Sequence, residues 1–258
     1  MNFELATGPF LAFMFALVRA SAWLAFTPPF SSRVIPLVVR TGLAAALALA
    51  ATPQLSSQSG ALQTMGTGAF IAGLVVQAAI GALLGYITSL MFGVLMAGGA
   101  LTDMSSGLSA ATIYDPISGT PNPVTANTYN VIMTTLVFVT GGDLLIVKGF
   151  LTSFKAFGLS THSAALIGPT LVSEIGFFFV AAVEIAAPVF ACMFLTYIAM
   201  GLITRSAPQL NIMSIGFGVN IAIALTVVGI CLPLLPGAVS TLVDRAVTDG
   251  LGLLGARP

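Results

Sequence analysis

AFIAGLVVQAAIGALLGYITSLMFGVLMAGGA, residues 69–100, is an uncharged apolar run of 32 residues. A membrane-crossing helix needs about 20 such residues. Ala69–Ala100 is therefore long enough to span a bilayer and project beyond it. Small residues recur along it at every fourth position: Gly81, Gly85, Ser89, Gly93 and Ala97. Such a ridge lets a second helix approach closely, which is how membrane helices associate without a hydrophobic force between them. At about 100° per residue the ridge drifts by roughly 40° per step. One helix can then meet more than one neighbour, and packing within the chain is the simplest use of the ridge.

Five further apolar runs flank this one, approximately Phe10–Phe26, Leu37–Ala51, Thr128–Phe150, Ile175–Met200 and Ile212–Leu235. The whole chain is 57% hydrophobic and 6% charged, with a mean hydropathy of +1.07. A soluble domain carries about 25% charged residues. The expected fold is all-α, a multi-helix integral membrane protein. Run lengths are unequal, which implies burial by neighbouring helices as well as by lipid.

Eight Lys and Arg balance eight Asp and Glu. That excludes a basic field for nucleic acid and a polybasic lipid patch. No Lys or Arg precedes Arg19, so the first run is expected to be retained and not cleaved as a secretory signal. Cys192 and Cys231 lie inside apolar runs without metal-type spacing and read as small hydrophobes. With six spans, the loops on one side hold Arg33, Arg40 and Arg205, those on the other Lys148, Lys155, Arg245 and Arg257. Positive charge thus assigns no orientation.

Polar features stand out against this background. Pro28-Pro29 and Pro36 bracket Phe30–Arg33 and predict a tight turn between the first two helices. Residues 53–68 read as a loop rich in Ser, Gln, Thr and Gly. Leu101–Asn127 is the longest polar interruption, and Pro116, Pro121 and Pro123 cannot sustain a helix there. Irregular backbone at membrane depth survives only against protein or in a water-filled cavity, so an inserted segment would line or plug something; an exposed loop outside the bilayer fits the composition equally well. Arg19, Asp143 and Glu184 interrupt apolar runs, and each would cost about 3 kcal/mol at a lipid-facing helix centre. They are expected to face protein or water, with inter-helix pairing favoured over a proton path. Asp143 and Lys148 are read as marking a helix end.

Catalytic signals are weak. His162 is the single histidine, and no HExxH, CxxC or Gly-rich phosphate loop occurs. Gly107–Ala111 half matches a nucleophile elbow but lacks its final glycine and strand-turn-helix context. An intramembrane serine protease would need Ser106 or Ser109 within about 3 Å of His162; Met104 stands where the rhomboid type has glycine. The chain is expected to be no enzyme and to bind no cofactor and no metal.

Two segments carry a resemblance. Arg205-Ser-Ala-Pro-Gln-Leu-Asn211 matches R-x-x-P-Q-x-N, and Met104–Val124 matches a central G-L-S-x-A…D-P-x-x-G-x-x-x-P-V pattern. Both resemble the FliR family of the flagellar type III export gate, whose related branch is the SctT proteins of virulence secretion systems. Phe30–Pro36 and Gly142–Phe154 fit as well, and the resemblance runs along essentially the whole chain. Asp143 follows Gly142 where many relatives have histidine, and the loop after the third span is richer in Thr and Asn than is common. These departures touch only the details of sealing.

The resemblance implies a subunit of the export gate in the bacterial inner membrane, within the flagellar basal body. It would form with FliP and FliQ the channel for unfolded flagellar proteins and contact FlhB and FlhA. Residues 1–165 would be a FliP-like part with a central plug loop at 106–124, and 166–258 a FliQ-like hairpin with its tip at 205–211. Plug residues would be Ser106, Gly107, Ile113, Tyr114, Asp115, Pro116, Gly119, Pro121 and Pro123. Arg205, Pro208, Gln209 and Asn211 would form the cytoplasmic tip that meets partners, with the N-terminus on the opposite side. Gly81, Gly85, Ser89 and Gly93 would form the packing ridge. An injectisome gate subunit is the alternative, and a solitary transporter or channel with Glu184 and Arg19 along its path is a more distant one.

Overall fold

The computed structural model describes residues 4–32, 35–56, 66–109, 123–157, 164–207 and 212–252. Among them there are eight α-helices and no strand. In chain order they are α1 (Glu4–Phe26), α2 (Leu37–Ser56), α3 (Thr67–Ser106), α4 (Val124–Val139), α5 (Gly142–Phe157), α6 (Ala164–Ser206), α7 (Ile212–Cys231) and α8 (Leu235–Gly252). Five helical segments are long and apolar enough to cross a membrane, and six if one bent pair counts as a span. The protein is an all-α integral membrane protein.

Two spans differ from the sequence reading. Thr128–Phe150 is not one straight span: α4 and α5 meet at 74° across Thr140 and Gly141. Gly141 has φ +72°, a conformation available to glycine without a Cβ clash. Asp143 consequently marks the N-terminal end of α5, where its charge favours the helix N-terminus, whereas Lys148 lies inside that helix. The last apolar run does not stop at Leu235, because the span continues to Asp249 through a 3-10 turn at Leu232–Leu234. Pro233 removes a backbone donor there, and a single tighter turn absorbs the loss.

The chain divides into two compact units. The first comprises Met1–Met91, Phe138–Ile175 and Thr241–Pro258. Here α1 packs along α2, and α2 packs on α5. The expected turn holds them: Thr27 donates to the Trp23 carbonyl, Pro28-Pro29 is cis, and Arg40 reaches back to the Ser32 carbonyl at 2.9 Å. Gly81 and Gly85 let α3 press on the backbone of α1. A Cβ on Gly85 would stand 2.7 Å from the Trp23 carbonyl, and one on Gly81 would collide with that of Arg19.

Aromatic packing centres this unit. Trp23 stacks on Phe150 with centroids 4.3 Å apart, and Phe150 meets Phe154 edge to face at 5.2 Å. Arg19 is fully buried beside them. Its guanidinium donates to Gln77 Oε1 at 2.6 Å and to the Ser153 carbonyl at 3.1 Å, and lies 4.3 Å from the Phe154 ring centroid. One side chain thereby joins α1, α3 and α5, and a path-lining role for Arg19 gives way to inter-helix pairing. On α8, Arg245 lies 2.9 Å from Asp249 and 4.0 Å from the buried Glu174 of α6.

The second unit comprises Phe92–Val137 and Gly176–Ser240. Val189 and Met193 of α6 pack against Ala224 of α7, flanked by Ile223, Val227 and Val228. Gly98 of α3 receives Ile185, and Gly93 faces the Phe178 ring, both from α6. Ser89, between the glycines of the ridge, is half-buried. Only 11% of the apolar stretch within Ile215–Asp249 is buried, against 39% within Gly8–Phe26. That C-terminal surface is left for lipid or other chains to cover.

Candidate functional site

Thr102, Asp103, Ser105 and Ser106 lie in the last five residues of α3, and their backbone and side-chain bonds define a neck. Thr102 closes onto the Gly98 carbonyl at 3.0 Å, and Ser106, fully buried, donates to the Asp103 carbonyl at 3.3 Å. Gly107 then turns the chain with φ +80°, where a side chain would be strained, next to the Phe217 ring of α7.

Asp103 secures the other end. It is 1% exposed, and its carboxylate accepts from the Thr125 amide at 3.1 Å and the Ala126 amide at 3.2 Å. These are first-turn amides of α4, which have no partner within their own helix. A carboxylate there satisfies two donors and lies favourably in the helix dipole. Pro123 precedes the helix, and its carbonyl accepts from Asn127 at 3.1 Å. Gly99 brings the two backbones together, since a Cβ on it would lie 2.6 Å from Ala126 Cα.

Helices α6 and α7 brace the same neck. Tyr197 of α6 donates its hydroxyl to the Ser105 carbonyl at 2.9 Å, and Asn220 of α7 reaches that hydroxyl at 3.5 Å. Residues of α3, α4, α6 and α7 therefore converge on either side of residues 110–122. The buried carboxylate is spent on capping. Among the described residues no three His, Cys, Asp or Glu side chains gather as a metal site would require.

Of the expected plug residues, the structure places Ser106, Gly107 and Pro123 at this neck. Ile113, Tyr114, Asp115, Pro116, Gly119 and Pro121 lie outside the described residues, as do Pro208, Gln209 and Asn211 of the expected tip. Arg205 is exposed in the last turn of α6, where a cation suits the helix C-terminus. Asp103 and Tyr197 were not singled out by sequence. The one available signal for Asp103 was an acid at the end of an apolar run; its partners, 22 and 23 residues away, leave no local pattern.

Residues 10–246 match the model of the family described as bacterial export proteins, family 1. The chain belongs to that family. Among relatives of this export protein, the flagellar biosynthetic protein FliR of Pectobacterium carotovorum is 28% identical over 87% of this chain and 85% of its own length. FliR of Bacillus subtilis is 25% identical over 86% of each. The Yop proteins translocation protein T of Yersinia pestis is 25% identical over 97% of each. The family match thus covers the neck together with α6 and α7.

Proposed function

We propose that this export protein is a subunit of a flagellar type III export gate in the bacterial inner membrane, and that its 106–124 loop closes the protein-conducting channel at rest. The observation that carries the reading is the neck. The carboxylate of Asp103, near the end of α3, holds the first-turn amides of α4, so the segments on either side of residues 110–122 are fastened together and would anchor the base of a displaceable plug. Within the loop, Asp115-Pro116 and Pro121-Asn-Pro123 would limit backbone freedom, and Ile113 and Tyr114 would supply the apolar seal that excludes ions from a narrow pore. Family membership supports the export role, and the FliR relatives support the flagellar branch.

On this reading the chain assembles with FliP and FliQ and contacts FlhB and FlhA. Residues 1–165 play the FliP-like part and 166–258 the FliQ-like hairpin, whose Arg205, Pro208, Gln209 and Asn211 tip faces the cytoplasm and partner chains. The large apolar surface left open on α6 and α7 suits a subunit packed among others. The Yersinia relative, matched along nearly the full length of both chains, keeps an injectisome gate as the second reading.

The test is electrical. Deleting Ile113–Pro121 spares Asp103, Thr125 and Ala126, so the neck can still close over a shortened loop. Assembled gates carrying the deletion should conduct ions without substrate; conductance equal to that of the intact protein would reject the plug.

A further inference from the structure

Glu184 lies ten residues from Glu174 and 21 from Arg205, within the apolar Leu171–Ser206 segment of α6. Nearly every placement of about 20 residues of hydrocarbon along this helix encloses it. The structure leaves it exposed, and its carboxylate has no hydrogen-bond or ion-pair partner among the described residues. The packed side of α6, marked by Ala182, Ile185, Val189 and Met193, points the opposite way, toward Gly98 and Ala224. Pro188 adds a second acceptor. It has no N–H, so the backbone carbonyl of Glu184, four residues earlier, loses its helical donor.

The surroundings identify what fits. Along the same face Val180, Leu195 and Ile198 are apolar and exposed. A wall of a water-filled lumen would be polar over its length, whereas one doubly accepting spot in an apolar face matches a dry contact between helices. Ala187 and Ala191, both exposed, keep the surface low for close approach. Two acceptors at one level call for a group with several donors and a positive charge, which an arginine fork or a lysine ammonium supplies.

We infer that the outer face of α6 around Glu184 docks a membrane-spanning helix of a different subunit, and that a basic residue at mid-span of that helix binds the Glu184 carboxylate and its freed carbonyl. This rests on the reading of the chain as one subunit of a multi-chain gate. The contact is separate from the loop neck, which uses other residues of α6.

In cells with the complete apparatus, a photoreactive amino acid at Ala191 should cross-link to another polypeptide. The cross-linked segment should be an apolar span with Arg or Lys within one turn of the attachment point. Glu184→Lys should reduce that product at least about tenfold, because an unpaired charge left in a dry contact speeds dissociation. An acidic residue at the partner's basic position should restore it. Glu184→Gln keeps the shape and one acceptor and should give an intermediate yield; it also provides an uncharged comparison if the lysine variant accumulates poorly. Cross-links to lipid alone, to a second copy of this chain, or at a yield insensitive to Glu184 would overturn the inference. If probes placed elsewhere on α2, α6 and α7 also capture no other subunit, the multi-chain reading itself falls; capture there but not at Ala191 removes only the Glu184 contact.

Discussion

Asp103 and Thr125 lie 22 residues apart in sequence, yet both carboxylate oxygens of Asp103 are 3.1 Å from the Thr125 amide. The last turn of one helix thereby caps the first turn of the next. A capping carboxylate contributes about 0.5–2 kcal/mol, and its removal here also strands two buried amides at about 1–3 kcal/mol each. The neck is consequently a strong tie for its size.

Replacing Asp103 tests that tie. Asp103→Ala should lower the thermal stability of the detergent-purified protein by about 3 kcal/mol or more, from the lost cap and the stranded donors. Asp103→Asn keeps one acceptor and should lose about half as much. Equal melting temperatures for wild type and the alanine variant would show that the cap is energetically idle.

Arg19 and Arg205 should separate cleanly. Arg19→Ala removes donors from Gln77 and Ser153 and opens a cavity beside Phe154. A loss of about 3 kcal/mol or more is expected in the same melting assay. Arg205 is exposed at a helix C-terminus, so Arg205→Glu should cost about 1 kcal/mol, well below the loss at Arg19. Under the proposed tip role its effect should appear in export, measured as secreted flagellar protein from complemented cells. Export unchanged by Arg205→Glu would remove the tip from the mechanism.

Glycine substitutions should rank by what each added Cβ meets. Gly85→Ala brings a methyl within 2.7 Å of the Trp23 backbone carbonyl, whereas Gly93→Ala meets a movable Phe178 ring edge at 3.1 Å. Gly42 has nothing within 4 Å, and Gly42→Ala should gain up to about 1 kcal/mol from helix propensity. Membrane accumulation should therefore fall in the order Gly42→Ala, Gly93→Ala, Gly85→Ala. Immunoblotting of membrane fractions checks it, and a tolerated Gly85→Ala would refute the close α1–α3 approach.

The two turns with positive φ give a further comparison. Gly141 at φ +72° has open space around it and Gly107 at φ +80° has only a loose ring contact. Alanine at either position should cost about 1 kcal/mol from backbone strain alone. Both should lower the melting temperature by similar amounts; no change at Gly141 would mean that the bend between α4 and α5 relaxes without it.

Solvent class, helix type and family were legible along the chain because each is written in neighbouring residues. With 6% charge, apolar runs of 20 or more residues have no stable state but a membrane or a protein interior. The ridge of small residues announced close approach, and Pro28-Pro29 announced the first turn. The bend at Gly141 was less visible, since an isolated glycine in an apolar run is common and its φ depends on what packs around it.

Pairings across distance were decided only in three dimensions. Arg19, Asp103 and Glu184 look alike as charges beside apolar residues. Folding buries the first among Gln77, Ser153 and Phe154, spends the second on capping α4, and leaves the third facing outward. The reason is physical: periodicity records which face of a helix is apolar, but the fate of a buried charge depends on which donors and acceptors the other helices bring to it, and those lie 22 to 134 residues away.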